Sequence, residues 1–256
     1  MLIYGINPVL EALRARRVTT LRVAARADDR IREIERVAAA QGVVVRRVDA
    51  DELDRAAGGA GHRHQGVIAE AVEGTSHDVE DLIAGASGAP LIVVLDGIED
   101  PHNVGAILRT VDAAAADGVV RQSRHAAPLG GATAKASAGA VAHVKVADVV
   151  NIARALEDLK QGGVWTVGLA GDATTRYDRI DYTLPTAIVV GAEGAGLRRL
   201  VRERCDWLVS IPMRGHVQSL NVSVATGIVL FEALRQRLQT AEPGESGVPR
   251  GPLTKS

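Results

Sequence analysis

The strongest constraint on the fold of this sequence is a series of short apolar runs, each of which ends in a polar or glycine-rich loop. The run LIVVL at 91–95 is uninterrupted, which is typical of a parallel strand covered by helices on both faces. Further apolar runs occupy 164–169, 187–190 and 208–211. Patterns of helical period alternate with them at 104–116, 152–160 and 219–238. The chain from residue 90 onward therefore predicts an α/β fold built on a parallel sheet.

A second, smaller α/β unit is predicted before this sheet. Helical patterns occupy 8–15, 28–41 and 51–57, and strand patterns occupy 21–24, 43–48 and 67–71. Asp28 or Asp29 is the predicted cap of the second helix. We expect a small domain at 1–73, a linker at 74–89, a larger domain at 90–239 and a disordered tail at 240–256.

Composition and charge argue against several classes of protein. The formal net charge of −1 argues against nonspecific coating of nucleic acid, which requires many uncompensated cations, but it is compatible with a local patch of arginines. Cys205 is the only cysteine, so we expect no intramolecular disulfide and no thiolate-based zinc site. No signal-peptide pattern or long apolar stretch occurs, and we therefore expect a cytoplasmic protein without a membrane segment.

Three loops that follow apolar strands carry the candidate chemistry, because ligands of open α/β sheets bind beyond the carboxyl ends of the strands. The first loop begins the segment LDGIEDPHNVGAILRTVDAA, in which Asn103 is the predicted N-cap of the helix and Arg109 lies in its second turn. A carboxamide at this position can cap the helix and still donate to a ligand. Considered alone, however, Asn103 is simply a cap and Arg109 simply a surface residue.

The second loop, VVGAEGAGL at 189–197, is rich in glycine. Gly191, Gly194 and Gly196 have the spacing G-x-x-G-x-G, which differs from the dinucleotide-binding pattern G-x-G-x-x-G. The spacing therefore argues against a nicotinamide-dependent oxidoreductase. Glycines permit a ligand to approach the backbone closely, and Glu193 offers a carboxylate to a cationic ligand. The alternative is that this segment is only a turn.

The third loop, within SIPMRGHVQSLNVSVATGIVLFEALRQR, places Ser219 and Asn221 at the start of a long helix. Polar side chains at such a position are ordinarily capping groups. The helix carries an apolar stripe of helical period, formed by Leu220, Val224, Gly227, Phe231, Leu234 and Leu238.

Considered together, the three loops resemble, in order and separation, the three motifs of the SpoU family of RNA 2′-O-ribose methyltransferases. IYGINPVLEAL at 3–13 resembles the opening of the family's substrate-binding domain, and HQGVIAE at 64–70 resembles its closing strand. KASAGA at 135–140 is also similar to a segment of the family. The resemblance covers most of residues 2–238 and is strongest to members that methylate a guanosine of 23S rRNA.

The resemblance implies a SPOUT-type catalytic domain with a trefoil knot near its C-terminus, one of the rare exceptions to unknotted topology. It implies that the N-terminal domain is L30e-like and binds RNA, and the expected RNA is 23S rRNA. It also implies a homodimer with the two active sites near the subunit interface. The implied cofactor is S-adenosylmethionine, and no metal is required.

The resemblance also implies the roles of individual residues. The implied catalytic residues are Arg109, Asn103, Glu193, Ser219 and Asn221. The implied cofactor-binding residues are Gly191, Gly194, Gly196, Ile211, Met213 and Leu220. Because arginine stays protonated in proteins, we expect Arg109 to stabilise the developing alkoxide or an adjacent phosphate, and the acceptor of the hydroxyl proton stays open.

Two segments depart from the family's pattern. The sequence at 118–122 stands where the family continues an apolar strand that ends in proline, and 128–131 is glycine-rich where an asparagine is common. Loop geometry and substrate detail are therefore open. The alternatives within the fold are methylation of another RNA, either a tRNA or an antibiotic-target site in rRNA, and an RNA-binding protein without catalytic activity.

Overall fold

The computed structural model describes residues 1–25, 29–59, 64–72, 77–124 and 126–241. Two sheets organise these residues, a four-stranded sheet drawn from residues 2–71 and a seven-stranded sheet drawn from residues 91–210. The predicted tail falls outside the described residues except for Thr240 and Ala241, which end the last helix. Two α/β units of unequal size are therefore present, as the sequence predicts.

The four-stranded sheet is mixed. Its strands are β1 (Leu2–Tyr4), β2 (Val18–Ala24), β3 (Val44–Val48) and β4 (Val67–Ala71), in the order β1-β4-β2-β3. Strand β4 is antiparallel to β1 and β2, while β2 and β3 are parallel. The helices of this unit are α1 (Ile6–Arg14), α2 (Asp29–Ala40) and α3 (Ala50–Ala56).

The seven-stranded sheet is parallel at every strand pair. Its strands are β5 (Leu91–Asp96), β6 (Gly118–Gln122), β7 (Val146–Val149), β8 (Trp165–Leu169), β9 (Thr175–Arg176), β10 (Thr186–Gly191) and β11 (Trp207–Ser210). Their order is β7-β6-β5-β10-β8-β11-β9. The helices are α4 (Val79–Ala84), α5 (Pro101–Ala113), α6 (Gly131–Ala136), α7 (Ile152–Gln161), α8 (Arg199–Arg204) and α9 (Val222–Ala241).

Strand β5 lies inside this sheet and is buried along its whole length. Leu91, Val93 and Leu95 belong to one buried cluster, and Ile92 and Val94 belong to another. Successive side chains of a strand point to opposite faces, so each face of the sheet has its own apolar layer. The prediction of a parallel strand covered on both sides is confirmed.

The strand order reverses direction between β5 and β10. From β5 the chain adds β6 and β7 on one side, whereas β10, β8 and β11 lie on the other. The two central strands pair in register from Thr186 opposite Leu91 to Gly191 opposite Asp96. Their loops therefore leave the sheet side by side, at the kind of switch point where open α/β sheets bind ligands.

Several elements begin or end elsewhere than predicted. Helix α5 lies three residues earlier than the predicted 104–116, because Asp100 caps it and Pro101, which fixes its own φ and has no N–H, occupies its first turn. Asn103 is therefore not the N-cap. The predicted linker contains α4, whose capping box joins Asp78 and Asp81. The segment 118–122, which departs from the family's pattern, forms β6. Three further strands were not predicted because they are too short or too mixed in pattern, namely β1, β7 and β9.

Helix α9 begins at Val222 rather than at Ser219. Its buried side comprises Val222, Thr226, Val229, Leu230 and Ala233, and α5 is among the elements that it packs against. The predicted apolar stripe lies elsewhere on the helix, since Val224, Phe231 and Leu238 are each at least half exposed. A stripe of helical period was correctly identified, but it does not face the core of the chain.

Candidate functional site

The loops that follow β8, β10 and β11 enclose a cleft of about 850 Å³, which we call the loop cleft. Its lining comprises 169–171, 190–194, 196, 209–213, 215–220, 222 and 225. The walls combine apolar side chains, among them Leu169, Val190 and Ile211, with exposed backbone of the glycine-rich loop. Both the volume and the lining are typical of a site for a small organic ligand.

All six residues predicted to bind the cofactor line the loop cleft, and they come from two loops. The glycine-rich loop provides Gly191, Gly194 and Gly196, and the segment between β11 and α9 provides Ile211, Met213 and Leu220. The structure thus brings together residues that are up to 29 positions apart in the sequence.

The glycine-rich loop folds back on itself immediately after β10. The amide of Gly196 donates to the carbonyl of Ala192 at 2.8 Å, and a Cβ at Gly191 would lie only 2.1 Å from the carbonyl carbon of Gly196. Gly194 and Gly196 also have positive φ angles of 79° and 66°. Any side chain at Gly191 would open this turn, which requires glycine there for close packing of backbone on backbone.

A buried carboxylate ties the end of the glycine-rich loop to β5. Asp96 is fully buried and accepts from the backbone amide of Arg198 at 2.7 Å and from its Nε at 2.6 Å. A buried charge is costly unless it is paired, and these charge-assisted hydrogen bonds provide the pairing. The loops after β5 and β10 are therefore fixed relative to each other through one side chain.

At the mouth of the loop cleft, the three predicted motifs meet in a polar cluster. The Asn221 amide donates from Nδ2 to Oδ1 of Asn103 at 2.9 Å and, over a longer 3.5 Å, to Oε2 of Glu193. Asn103 lies in the first turn of α5, which follows β5, whereas Glu193 and Asn221 lie in the loops after β10 and β11. We call these three side chains the Asn103–Glu193–Asn221 cluster.

Two residues that sequence reasoning missed orient this cluster. Ser223 donates from Oγ to Oδ1 of Asn221 at 2.6 Å, and its backbone amide donates to the same oxygen at 3.0 Å. With its oxygen so engaged, Asn221 presents its NH₂ group to Asn103 and Glu193. Asp100 accepts from the backbone amide of Asn103 at 3.1 Å. The Asp-Pro pair at 100–101 was a helix-start signal that could have identified this cap.

The other two predicted catalytic residues make no hydrogen bond to this cluster. Ser219 lines the loop cleft and is exposed. Arg109 is exposed on α5, lies outside the cleft lining and has no hydrogen bond or ion pair within the described part of the chain. Its neighbour Thr110 has a Cγ2 atom 3.7 Å from the position that a Cβ of Gly227 would occupy. Arg109 thus lies beside the contact of α5 with α9.

The loop cleft fits the cofactor that the sequence implies. Glu193 supplies a carboxylate for a positively charged ligand, backbone groups of the glycine-rich loop are accessible, and the apolar walls suit an aromatic base. Within the described ranges, no group of three or more His, Cys, Asp or Glu side chains is placed to hold a metal ion. In the same ranges, no helix has the length and apolar character needed to span a membrane.

Comparison with known protein families gives two matches. A model described as the SpoU rRNA methylase family matches residues 90–231, which is more than half of the chain. A model described as RNA 2′-O ribose methyltransferase substrate binding matches residues 2–74. The first match contains all three motif loops, and the second contains the four-stranded sheet.

Individual relatives match over nearly the whole chain. A 23S rRNA (guanosine-2′-O-)-methyltransferase RlmB from a Burkholderia species is 47% identical over 242 residues, covering 93% of this chain and 97% of the relative. The protein of the same name from Pseudomonas aeruginosa is 44% identical and covers 92% of this chain and 96% of its own length.

Solved structures agree with the sequence matches. The SpoU methyltransferase AviRb from Streptomyces viridochromogenes, in complex with the cofactor AdoMet, is 26% identical with a TM-score of 0.79, covering 93% of this chain and 91% of that one. An AdoMet-bound rRNA methyltransferase from Sinorhizobium meliloti is 26% identical with a TM-score of 0.72, covering 91% and 86%.

Proposed function

Because the chain belongs to the SpoU rRNA methylase family, we propose that it is an S-adenosylmethionine-dependent methyltransferase that modifies the ribose 2′-hydroxyl of a guanosine in 23S rRNA. The observation that carries the proposal is the Asn103–Glu193–Asn221 cluster, which joins all three motif loops at the mouth of the loop cleft. Relatives named for this activity, at 44–47% identity over most of the chain, support the choice of RNA. A substrate of this kind implies a cytoplasmic enzyme.

The loop cleft is the proposed cofactor site. Gly191, Gly194 and Gly196 provide the backbone wall, while Ile211, Met213 and Leu220 provide the opposite wall. Glu193 attracts and orients the positive charge of the ligand. When bound, S-adenosylmethionine supplies an activated methyl group on a sulfonium centre, so no metal is needed to assist the leaving group.

The polar cluster orients the target ribose. The carboxamide of Asn103, whose oxygen is held by the Asn221 NH₂ group, keeps its own NH₂ group to offer to a nucleotide at the mouth of the cleft. Holding the reacting groups in line accounts for a large share of the rate enhancement in such a displacement. Ser219, exposed on the rim of the cleft, is a further proposed contact of the nucleotide.

Arg109 is the proposed stabiliser of negative charge on the ribose oxygen or the adjacent phosphate. Its guanidinium is exposed and has no carboxylate partner within the described residues, so it is available to an anionic substrate. Its place beside the contact of α5 with α9 brings it next to the surface that we propose for dimerisation.

We propose that the protein is a homodimer formed through α9. The stripe of Val224, Phe231 and Leu238 repeats every seven residues and is at least half exposed along its length. An exposed apolar stripe of this kind is typical of a helix that packs on a partner. Pairing two copies of α9 would place each Arg109 near the subunit boundary, as the family resemblance implies. The trefoil knot stays a prediction.

The experiment that tests the proposed activity is transfer of a labelled methyl group from S-adenosylmethionine to an unmodified 23S rRNA transcript, mapped by primer extension that stops at ribose methylation. We expect one modified guanosine. Arg109→Ala is expected to lower turnover by about 100-fold without changing cofactor affinity, because it removes charge stabilisation made in the transition state. The matched control is Arg154→Ala, an exposed arginine on α7, which is expected to keep full activity.

The other outcomes identify the alternatives. Transfer to tRNA in place of 23S rRNA would contradict the proposed substrate and keep the reaction. Cofactor binding without transfer to any RNA would favour a binding protein that lacks catalytic activity. Equal activity of the Arg109→Ala variant and the control would remove Arg109 from the mechanism.

A further inference from the structure

A second cleft, of about 1190 Å³, lies between the two α/β units. One wall comes from the N-terminal unit and includes Arg16 and Arg17, which follow α1. The other wall comes from the catalytic unit and includes Arg121, Thr133 and Lys145. We call it the arginine cleft, after the three arginines among its lining residues.

The arginine cleft has an excess of positive charge. Its lining includes the cations Arg16, Arg17, Arg121 and Lys145, but the only carboxylate among its lining residues is Asp148. Asp148 is already engaged by Nε of Arg121 at 2.7 Å. Arg17 and Lys145 donate only to backbone carbonyls, of Val141 at 3.0 Å and Gly85 at 3.3 Å. Three cations therefore face the cleft without a carboxylate partner in the described residues.

Two buried polar atoms in the same lining residues lack a hydrogen-bond partner. They are Nε of Arg17 and Oγ1 of Thr133, and Thr133 is fully buried. Of the described residues, only Tyr182 has another such side-chain atom. Both atoms are buried beneath the surface of the cleft, so the donors that a ligand can reach are the cations that line it. Burial also lowers the pKa of Arg17, as expected for a guanidinium without an anion beside it.

The arginine cleft reaches the start of α5, the helix that carries Asn103. Pro101, the first residue of α5, lines the cleft. Asn103, two residues later, accepts the hydrogen bond from Asn221. An anion in the arginine cleft would therefore lie near the target nucleotide.

We propose that the arginine cleft binds a phosphodiester group of the RNA strand that flanks the target ribose, and this inference rests on the proposed function. A phosphodiester offers several acceptor oxygens and a negative charge, which match the cations that line the cleft without a carboxylate partner in the described residues. Because both units line the cleft, one RNA strand can contact the N-terminal unit and the catalytic cluster at the same time. Free phosphate shares this chemistry but would not need a cleft of this volume.

The test is the affinity of a 23S rRNA transcript for Arg16→Glu and for a matched control, Arg36→Glu, measured over a series of salt concentrations. Both arginines are exposed on the N-terminal unit and the charge change is identical, but Arg36 lies on α2 and outside the arginine cleft. Arg16 already has a positive φ of 53°, so glutamate adds no new backbone strain. We expect Arg16→Glu to weaken binding by about tenfold and to reduce the salt slope by about one, with the control unchanged.

Lys145→Gln provides a second variant, because it removes one positive charge from the lining of the cleft and keeps a side chain of similar length. We expect weaker RNA binding with no loss of thermal stability and no change in cofactor affinity. If Arg16→Glu and Arg36→Glu bind RNA equally well while the unaltered enzyme methylates normally, the arginine cleft is not an RNA-binding site. The proposed function would stand in that case. Inorganic phosphate that binds in an Arg16-dependent way, while RNA binding does not depend on Arg16, would overturn RNA as the occupant. Absence of methylation by the unaltered enzyme would instead contradict the proposed function.

Discussion

Asn221 shows how one side chain acquires a direction from its neighbours. An asparagine amide can rotate to present either oxygen or nitrogen, and the two donors of Ser223 select the orientation in which nitrogen faces Asn103 and Glu193. Ser223 therefore acts through Asn221 and is a positioning residue. The same principle applies to Asp100, which fixes the backbone of Asn103 by capping α5.

At this scale we predict that Ser223→Ala lowers kcat about three- to tenfold, which corresponds to the loss of one hydrogen bond worth about 1 kcal/mol. KM for the cofactor and the free energy of unfolding should change little, because the backbone amide of residue 223 still donates to Asn221. Steady-state kinetics of methyl transfer provides the measurement. Ser223→Thr keeps the hydroxyl and should restore kcat; if it behaves like Ser223→Ala, the hydroxyl does not orient Asn221.

At the scale of elements, α9 is fixed to the sheet by one guanidinium. Arg237 donates to four backbone carbonyls, those of Ala89, Pro90, Tyr182 and Leu184, over distances of 2.6–3.2 Å. These carbonyls precede β5 and β10, the two central strands. Burial lowers the pKa of Arg237, yet arginine remains charged, so all four contacts are charge-assisted.

We predict that Arg237→Lys lowers the free energy of unfolding by about 2–4 kcal/mol, because a single ammonium group cannot reach both pairs of carbonyls and leaves one or two unsatisfied. Urea denaturation followed by circular dichroism would measure it. Arg235→Lys is the matched control on the same helix, where the arginine is exposed and paired with Glu232. A similar loss in both variants would show that Arg237 has no special role in holding α9.

At the scale of the whole molecule, the proposed dimer depends on the exposed face of α9. We predict that Phe231→Arg converts the protein to a monomer, since a charge in the middle of an apolar interface is desolvated without a partner. Sedimentation equilibrium would measure the change, and methyl transfer should fall with it if the active sites lie near the boundary. Leu200→Arg, an equally exposed leucine on α8, is the control. A monomer produced by the control alone would place the interface on α8.

Much of the fold and of the candidate site could be predicted from local sequence. The uninterrupted apolar run of β5 indicated a strand with two buried faces because side-chain direction alternates along any strand. The glycine spacing after β10 argued against a dinucleotide loop, and motif resemblance identified Asn103, Glu193 and Asn221, which the structure brings into contact. Helix boundaries were less certain, since the carboxylate of Asp100 and not the carboxamide of Asn103 caps α5.

The sequence by itself determined the alternation of strands and helices, the apolar faces and the three motifs, because these depend on residue type and spacing along a short stretch of chain. Only the tertiary structure decided what distant residues do to one another. Asp96 and Arg198 are 102 positions apart, and Arg17 and Lys145 line one cleft only because two units meet there. Hydrogen bonds and charge pairs act over a few ångströms of space, and sequence separation does not fix that distance.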